Sequence, residues 1–327
     1  MATEKRELLI YLVSVFVVTF LMGIPLMYSY RNGLSVQMFP LIQMLYPAAG
    51  VMFAYLITRK NDPQIPKKRF IFYIAMVLIS IVILIGATIF HTNIDGILEL
   101  SVVIAGIVFI LIVFKEDRKN TDAFGLTGGT KEWLKYGCLF VVLYLANVLF
   151  ITVVSGEISE ITKYITADEV SERLMSIIFM PFMFLIQPVF FFGEEYGWRY
   201  FLQGRLQNIA GKRAGVILTG IIWGLWHMPL DFAYYLKPEY GLIGVVSHQI
   251  TCISLGIFFG YVYMKTKSVW IVSFLHYINN MMSPIIYGIE SIEPNQSASW
   301  DGMLIYFVAS FLFYGVFILS KEFRKES

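Results

Sequence analysis

Long apolar runs alternate with short polar segments along almost the whole chain. The ten apolar runs are 8–30, 38–58, 70–90, 97–114, 133–154, 174–192, 216–236, 242–264, 269–287 and 303–319. About 20 apolar residues are needed to cross the hydrocarbon core of a bilayer as a helix. Because lipid offers the backbone no hydrogen-bond partner, runs of this length should be α-helical, and strand-like alternation is absent. The pattern therefore predicts an all-α, polytopic membrane helical bundle with about ten transmembrane helices.

The basic residues are distributed very unequally between the two sets of polar segments. Of the 25 Lys and Arg residues, 21 lie in the N-terminal tail, in 59–69, 115–135, 199–213 and 265–267, and in the C-terminal tail. The other four are Arg31, Lys163, Arg173 and Lys237. Cytoplasmic segments of membrane proteins carry the excess of positive charge, so both termini are predicted to be cytoplasmic. Because the basic residues are explained by membrane topology, we predict no nucleic-acid partner. The expected surroundings of the chain are the lipid bilayer.

The composition supports the same class of protein. The chain is 57% hydrophobic and only 15% charged, whereas soluble domains average about 45–50% apolar and about 25% charged residues. A soluble enzyme could not bury that much apolar surface. Since charge is so scarce, ionisable side chains inside the predicted spans become candidates for function.

The candidate polar side chains fall into three groups. They are Glu194, Glu195 and Arg199 at the end of the sixth run, His227 in the seventh, and His276 with Asn280 in the ninth. Glu195 and Arg199 are spaced i,i+4 and can pair on one helix face, whereas Glu194 is rotated about 100° away and can point into the bundle. Each group also has a structural interpretation, as a solvated helix end, an ion pair or an interhelical hydrogen bond.

The heights of these groups along their helices favour a shared site. The basic, amphipathic segment 199–213 is predicted to extend the sixth helix into the cytoplasm and to turn near Gly211. Glu194 precedes that turn by almost as many residues as separate His227 from it, so an antiparallel hairpin would bring the two to similar depth. His276 would lie about 13 Å from the cytoplasmic end of its helix, at 1.5 Å per residue. The active site is therefore predicted in the cytoplasmic half of the membrane.

The start of the sixth helix conflicts with this depth. A straight helix from residue 174 would already have carried Glu194 about 30 Å, to the cytoplasmic border. We expect the span to start later, or to tilt or break, and Pro181 and Pro188 both allow a break. Gly193 and Gly197 beside the glutamates should let another helix approach closely.

The residue types suggest hydrolysis without a covalent intermediate. The chain contains neither a G-x-S-x-G elbow nor an H-E-x-x-H motif. Glu194 with His227 could activate a water molecule as general base. In an alternative interpretation, Glu194, His227 and His276 hold a divalent metal, most simply zinc, whose bound water is the nucleophile. His276 and Asn280 could stabilise an oxyanion.

Three motifs in order resemble a known protease family. They are Glu194-Glu195-x-x-x-Arg199, Trp223-x-x-x-His227 and His276-x-x-x-Asn280. This arrangement is similar to the CAAX-prenyl-protease and bacteriocin-processing (Abi) family, intramembrane proteases related to the type II CAAX prenyl endopeptidases. The resemblance covers roughly 174–287, within a predicted protease-like core at 133–327. The four spans in 1–132 are predicted to be an accessory extension.

The resemblance implies an intramembrane endopeptidase that cleaves a membrane-tethered, prenylated or hydrophobic peptide. The implied catalytic residues are Glu194, His227, His276 and Asn280, supported by Glu195, Arg199 and Trp223. Trp223 replaces the phenylalanine usual in the family and would keep an aromatic ring against His227, which we interpret as a minor departure. The resemblance also suggests a prokaryotic plasma membrane, and it leaves open whether a metal or the glutamate activates the water. The alternative is a non-catalytic transporter, immunity protein or scaffold on the same fold.

Overall fold

The computed structural model describes residues 2–115, 118–126, 128, 131–158 and 167–324. Within these ranges the secondary structure is helical, apart from one isolated β-bridge between Leu236 and Gln296. The N-terminal helices are α1 (Ala2–Arg31), α2 (Met38–Gln43), α3 (Tyr46–Thr58), α4 (Lys67–Ile89), α5 (Asp95–Phe114), α6 (Arg118–Ala123) and α7 (Trp133–Ser155). The predicted all-α class is thus confirmed for the part of the chain that the structure describes.

The C-terminal half is more broken than the N-terminal half. Its elements are α8 (Ala167–Phe184), α9 (Pro188–Glu195), a π-helical segment (Tyr196–Gln203), α10 (Gly204–Ala210), α11 (Lys212–Trp226), α12 (Met228–Asp231), α13 (Gly241–Thr266), α14 (Val269–Tyr287) and α15 (Met303–Phe313). Short 3₁₀ turns are formed by Pro238–Tyr240, Ile289–Ile292, Gly315–Leu319 and Lys321–Phe323. Interruptions of this kind inside a membrane protein occur where the backbone is surrounded by protein or lines a cavity.

Several helices are long and apolar enough to cross a membrane. Among the described residues there are six: Thr3–Arg31, Met38–Thr58, Lys67–Ile89, Asp95–Phe114, Trp133–Ser155 and Pro238–Thr266. A bent pair, Ser171–Phe184 with Pro188–Ala210, makes a seventh if it is counted as one span. The chain is an integral membrane protein, but the predicted count of ten spans is not confirmed.

The remaining predicted spans are shorter or more polar than expected. Helix α11 has 15 residues, about 22 Å at 1.5 Å per residue, and it ends before His227 instead of continuing to residue 236. Pro229 lacks the backbone N–H that would continue the helix. Helix α14 has 19 residues but carries a histidine and two asparagines, and α15 has only 11.

Apolar side chains cover the outer surface of the bundle. Phe90 is 78% exposed, Leu304 is 75% exposed and Ile24 is 67% exposed. Such a surface would be unfavourable in water but matches a hydrocarbon environment. The predicted orientation, with both termini in the cytoplasm, remains a prediction, and Lys163 lies outside the described residues.

The predicted break in the sixth span occurs at Pro188. Helices α8 and α9 are bent by 70° where they meet, and Pro188 is the first residue of α9, where a proline needs no N–H partner. Pro181 lies inside α8 instead. Because a new helix starts at Pro188, Glu194 lies only six residues after the break, and a straight helix from residue 174 no longer sets its depth.

Two glycines allow the N-terminal helices to pack tightly against α9 and the segment after it. A Cβ atom at Gly193 would lie 2.4 Å from the carbonyl oxygen of Met44. A Cβ atom at Gly197 would lie 2.3 Å from the Cβ atom of Pro47. The close helix approach predicted at Gly193 and Gly197 is confirmed, with α3 and the residues just before it as the partner.

The basic segment 199–213 is only partly the exposed extension that its sequence suggests. Residues 196–203 form the π-helical segment, in which Arg199 and Phe201 are fully buried. The predicted turn at Gly211 is present, since its φ of 84° is a left-handed conformation favourable to glycine. The surface extension therefore begins only at α10, because the first residues of the segment pack in the core.

Candidate active site

Glu194 lies in the protein interior and is held by two tryptophans. Its side chain is buried, with 3% exposure for the residue. Its Oε2 atom accepts a hydrogen bond of 2.7 Å from the indole nitrogen of Trp223 and another of 3.2 Å from that of Trp198. Indole N–H groups are donors only, so both bonds require Oε2 to be the acceptor. This leaves Oε1 free of both indoles.

Glu195, the neighbouring residue, has a different set of partners. Its Oε2 atom lies 2.9 Å from Nε of Arg199, and both side chains are fully buried. Its Oε1 atom is 2.9 Å from Nδ1 of His276. The predicted i,i+4 ion pair is therefore present, and the carboxylate also orients a histidine from another helix.

Arg199 is further surrounded by aromatic rings. Its guanidinium carbon lies 4.7 Å from the ring centre of Trp223 and 5.7 Å from that of Phe259, which are cation–π distances. Among the described residues, Nη1 and Nη2 of Arg199 have no hydrogen-bond partner. The charge is thus balanced by Glu195 and by the faces of two rings.

Trp223 has a larger role than its sequence position suggests. The predicted contact with His227 exists, with ring centres 6.1 Å apart. The same indole also donates to Glu194 and lies 5.4 Å, between ring centres, from His276. A phenylalanine at this position could not donate the bond to Glu194, so the departure from the family pattern adds one hydrogen bond to this carboxylate.

His227 is placed at the end of α11 by a local hydrogen bond. Its Nδ1 atom lies 3.0 Å from the carbonyl oxygen of Trp223, one turn earlier. A carbonyl can only accept, so Nδ1 carries the proton and, in the neutral ring, Nε2 has the free electron pair. The ring is buried, with 7% exposure for the residue.

A second histidine lies against His227 and was missed as a site residue by the sequence reasoning. The rings of His227 and His248 are stacked, with centres 4.5 Å apart and an interplanar angle of 4°. Nδ1 of His248 donates to Oδ1 of buried Asp231 at 2.5 Å. Both residues are ionisable groups near span ends in the sequence. The spacing of Asp231, four residues after His227, could have suggested Asp231, but no local signal points to His248.

One cavity connects the candidate residues. It has a volume of about 1040 Å³. Glu194, Trp223, His227, His276 and Asn280 all line it, so the structure brings the predicted catalytic residues together. Glu195 and Arg199 do not line this cavity, which agrees with a supporting position behind it.

Asn280 has its amide nitrogen directed away from its neighbour. Its Oδ1 atom accepts from Nδ2 of Asn279 at 3.2 Å, which leaves Nδ2 of Asn280 as a donor. His276 and Asn280, one turn apart on α14, both face the cavity. The arrangement offers a donor beside a buried carboxylate and two imidazoles.

The predicted metal ligands do not form a ready coordination site. Among the described residues, no group of three or more His, Cys, Asp or Glu side chains is arranged to hold a metal ion. Nδ1 of His276 faces Glu195, and Nδ1 of His227 faces a backbone carbonyl. These bonds leave Nε2 of both rings free, which is the usual orientation of a metal-binding histidine, but the three side chains are not assembled around one point in the described residues. Zinc therefore remains a prediction from the residue types.

Comparisons with known proteins identify the family of this segment. Residues 173–282 match the model of the family described as Type II CAAX prenyl endopeptidase Rce1-like. CAAX prenyl protease 2 of Methanococcus maripaludis is 27% identical over 145 residues, which cover 42% of this chain and 50% of that protein. The chain thus spans about half the length of this curated relative. No solved structure matches the chain.

The matched residues include all three polar motifs that contribute side chains to the cavity. The fold and the site define a helical membrane protein with a buried glutamate and two histidines around one cavity. Residues 173–282 are similar to the Rce1-like type II CAAX prenyl endopeptidases. The family predicted from the three motifs is confirmed.

Proposed function

We propose that this protein is an intramembrane endopeptidase that hydrolyses a peptide bond in a membrane-associated peptide. One observation carries the proposal: buried Glu194 lines the same cavity as His227, His276 and Asn280. Hydrolysis needs a base for water, a donor for the oxyanion and a space for the substrate, and these residues supply all three. The relationship of residues 173–282 to CAAX prenyl endopeptidases supports the same reaction.

Glu194 and His227 activate the water in this mechanism. Oε2 of Glu194 is engaged by two indole groups, so Oε1 is the oxygen that takes the proton. The free electron pair on Nε2 of His227 can accept a hydrogen bond from the same water and orient it. The water oxygen then bonds to the carbonyl carbon of the peptide bond while its proton moves to the carboxylate.

Asn280 and His276 stabilise the tetrahedral intermediate. The Nδ2 group of Asn280 donates to the oxyanion, and His276, held through Nδ1 by Glu195, acts as an imidazolium whose Nε2–H donates to the same oxygen. The C–N bond then breaks as the nitrogen receives the proton from Glu194, which returns to its carboxylate form. Atoms and charge balance without a covalent enzyme intermediate.

The substrate class follows from the surroundings of the cavity. The cavity lies within a bundle whose outer surface is apolar, so peptides attached to or dissolved in the membrane are the ones held close to it. The similar protein of Methanococcus maripaludis is called CAAX prenyl protease 2. We therefore expect prenylated or otherwise hydrophobic peptides to be cleaved.

The test compares Glu194→Gln with wild type in liposomes, using a fluorogenic farnesylated CAAX peptide and an unprenylated hydrophobic peptide. Replacing the base with an amide should lower kcat by about 10²- to 10⁴-fold. His227→Ala should also lose most activity. Glu132→Gln is the matched control, because Glu132 is an exposed glutamate whose partner is Lys135.

Two results would contradict the proposal. One is hydrolysis of neither peptide by the wild-type protein, and the other is equal hydrolysis by wild type and Glu194→Gln. Metal content measured on the same preparations tests the zinc alternative. A stoichiometric metal that is lost in His276→Ala would support zinc, and active protein without metal would exclude it.

A further inference from the structure

Contacts between helix ends define one end of the bundle. Glu7, near the start of α1, pairs with Arg59 at an Nε–Oε1 distance of 2.6 Å and with Arg205 of α10. Lys265, near the end of α13, pairs with Glu322 at 2.7 Å. We name this the basic end, formed by residues 2–7, 59–70, 204–213, 263–269 and 320–324. It contains segments that carry most of the Lys and Arg residues.

A different set of contacts defines the opposite end. The hydroxyl group of Ser35 is hydrogen-bonded to Asp95. The hydroxyl group of Tyr234 donates to Oε1 of Gln37 at 3.2 Å, and the backbone N–H of Asn295 donates to the carbonyl of Tyr234 at 2.6 Å. We name this the mouth end, formed by residues 32–37, 90–96, 232–240 and 288–302.

The cavity that contains Glu194 extends to the mouth end only. Its lining includes Gln37, Asp95, Leu236 and Glu293, which come from loops or helix starts at that end. Among the described residues that line it, none belongs to the basic end and none is Lys or Arg. The route from Glu194 to the surface through this cavity therefore leads away from the basic end.

We propose that this cavity opens on the extracytoplasmic side of the membrane, so that peptides reach Glu194 from outside the cytoplasm. The basic end is the cytoplasmic end by the distribution of positive charge, and the mouth end lies opposite it. The proposal rests on the proposed peptidase function and narrows its substrates to peptides exposed on the extracytoplasmic side. The predicted depth of Glu194 in the cytoplasmic half is compatible with it, because depth and direction of opening are separate properties.

Cysteine labelling in intact cells tests the direction of opening without using activity. Ser291→Cys marks the mouth end, and Lys60→Cys is the matched variant at the basic end. Both positions are exposed. The native residues Cys138 and Cys252 are replaced by alanine in both variants. A membrane-impermeant maleimide should label Ser291→Cys in intact cells and Lys60→Cys only after permeabilisation. Labelling of Lys60→Cys from outside, with or without labelling of Ser291→Cys, would overturn the proposal.

Blocking the mouth tests whether this opening is the substrate route. A bulky maleimide on Ser291→Cys should abolish cleavage of the farnesylated peptide in liposomes, whereas the same label on Lys60→Cys should leave it unchanged. Continued cleavage after complete labelling of Ser291→Cys would overturn the route. If the unlabelled protein showed no cleavage that depends on Glu194, the peptidase function would fail, while the labelling pattern in cells would still decide the direction of opening.

Discussion

The neighbouring glutamates Glu194 and Glu195 lie on two sides of α9 and have different partners. On the inner side, Glu195 is closed off by Arg199 and His276, both within 2.9 Å. On the cavity side, Glu194 is held by indole N–H groups and retains one unengaged oxygen. Successive residues of a helix point about 100° apart, which is enough to separate a charge-paired carboxylate from one that faces a cavity. The lesson is that partners, more than residue type, distinguish a structural acid from a chemical one.

Trp223 forms the wall between these two sides. One edge donates to Glu194, and the ring lies 4.7 Å from the guanidinium carbon of Arg199. The inner pair therefore supports the ring that positions the cavity carboxylate. Substitutions on the inner side should therefore mainly lower the free energy of unfolding. Substitutions on the cavity side should mainly lower kcat.

The largest of these effects is expected from Arg199→Met. The substitution leaves Glu195 buried without its arginine partner, and breaking a buried ion pair in this way typically costs about 3–5 kcal/mol. The free energy of unfolding, measured by denaturant titration in detergent micelles, should fall by that amount. The double variant Glu195→Gln/Arg199→Met should recover part of the loss, since no uncompensated charge remains.

Lys135→Met provides the matched control for this measurement. Lys135 and Glu132 form an i,i+3 pair whose side chains are 64% and 46% exposed, and exposed pairs contribute about 0–1 kcal/mol. An Arg199→Met protein no less stable than Lys135→Met would show that the inner pair is not structural.

The next effect concerns the cavity side, where Trp223→Phe removes a donor from Glu194. Hydrogen bonds to charged groups contribute about 1.5–3 kcal/mol, so kcat for the farnesylated peptide should fall by roughly 10- to 150-fold. Stability should also fall, about as much as in a buried Trp→Phe variant elsewhere, although the phenylalanine ring still packs against Arg199. The substitution also introduces the residue usual in the related family, so it tests whether the departure has a function here.

Trp270→Phe makes the same chemical change at a residue that does not line the cavity. The Trp270 indole donates to the carbonyl oxygen of Leu126 at 2.9 Å, and its loss should affect stability but not turnover. If Trp223→Phe keeps wild-type kcat while Glu194→Gln is inactive, the bond from Trp223 to Glu194 is unimportant for the reaction.

The features that could be predicted from the sequence are those encoded in short-range spacing. The i,i+4 pair of Glu195 and Arg199, the close approach at Gly197, the break at Pro188 and the turn at Gly211 all depend on residues within one or two turns. Each rests on a local rule of helix geometry or backbone freedom, and each is present. The family assignment followed because three such local motifs occur in order.

The features that could not be predicted depend on contacts between distant residues. The stacking of His248 on His227 joins α13 to the end of α11, and no spacing rule relates the two positions. The count of ten spans is not confirmed because hydropathy does not reveal where a run such as 216–236 is interrupted, here beyond Trp226. The burial of Arg199 was also missed, since basic residues in an amphipathic segment resemble an exposed surface.

The smallest effect is expected from His248→Ala, which removes the ring stacked on His227. Aromatic pairs contribute about 0.5–1.5 kcal/mol beyond burial, so kcat should fall by roughly 2- to 10-fold. His248→Phe keeps a ring against His227 but loses the bond to Asp231, so near-normal kcat in this variant would assign the effect to stacking. If His248→Ala has wild-type kcat, the bond from Nδ1 of His227 to the Trp223 carbonyl is sufficient to hold the imidazole. The position of His227 would then be set by a hydrogen bond within the end of α11. In the same way, the ion pair of Glu195 and Arg199 is formed within a single helical turn.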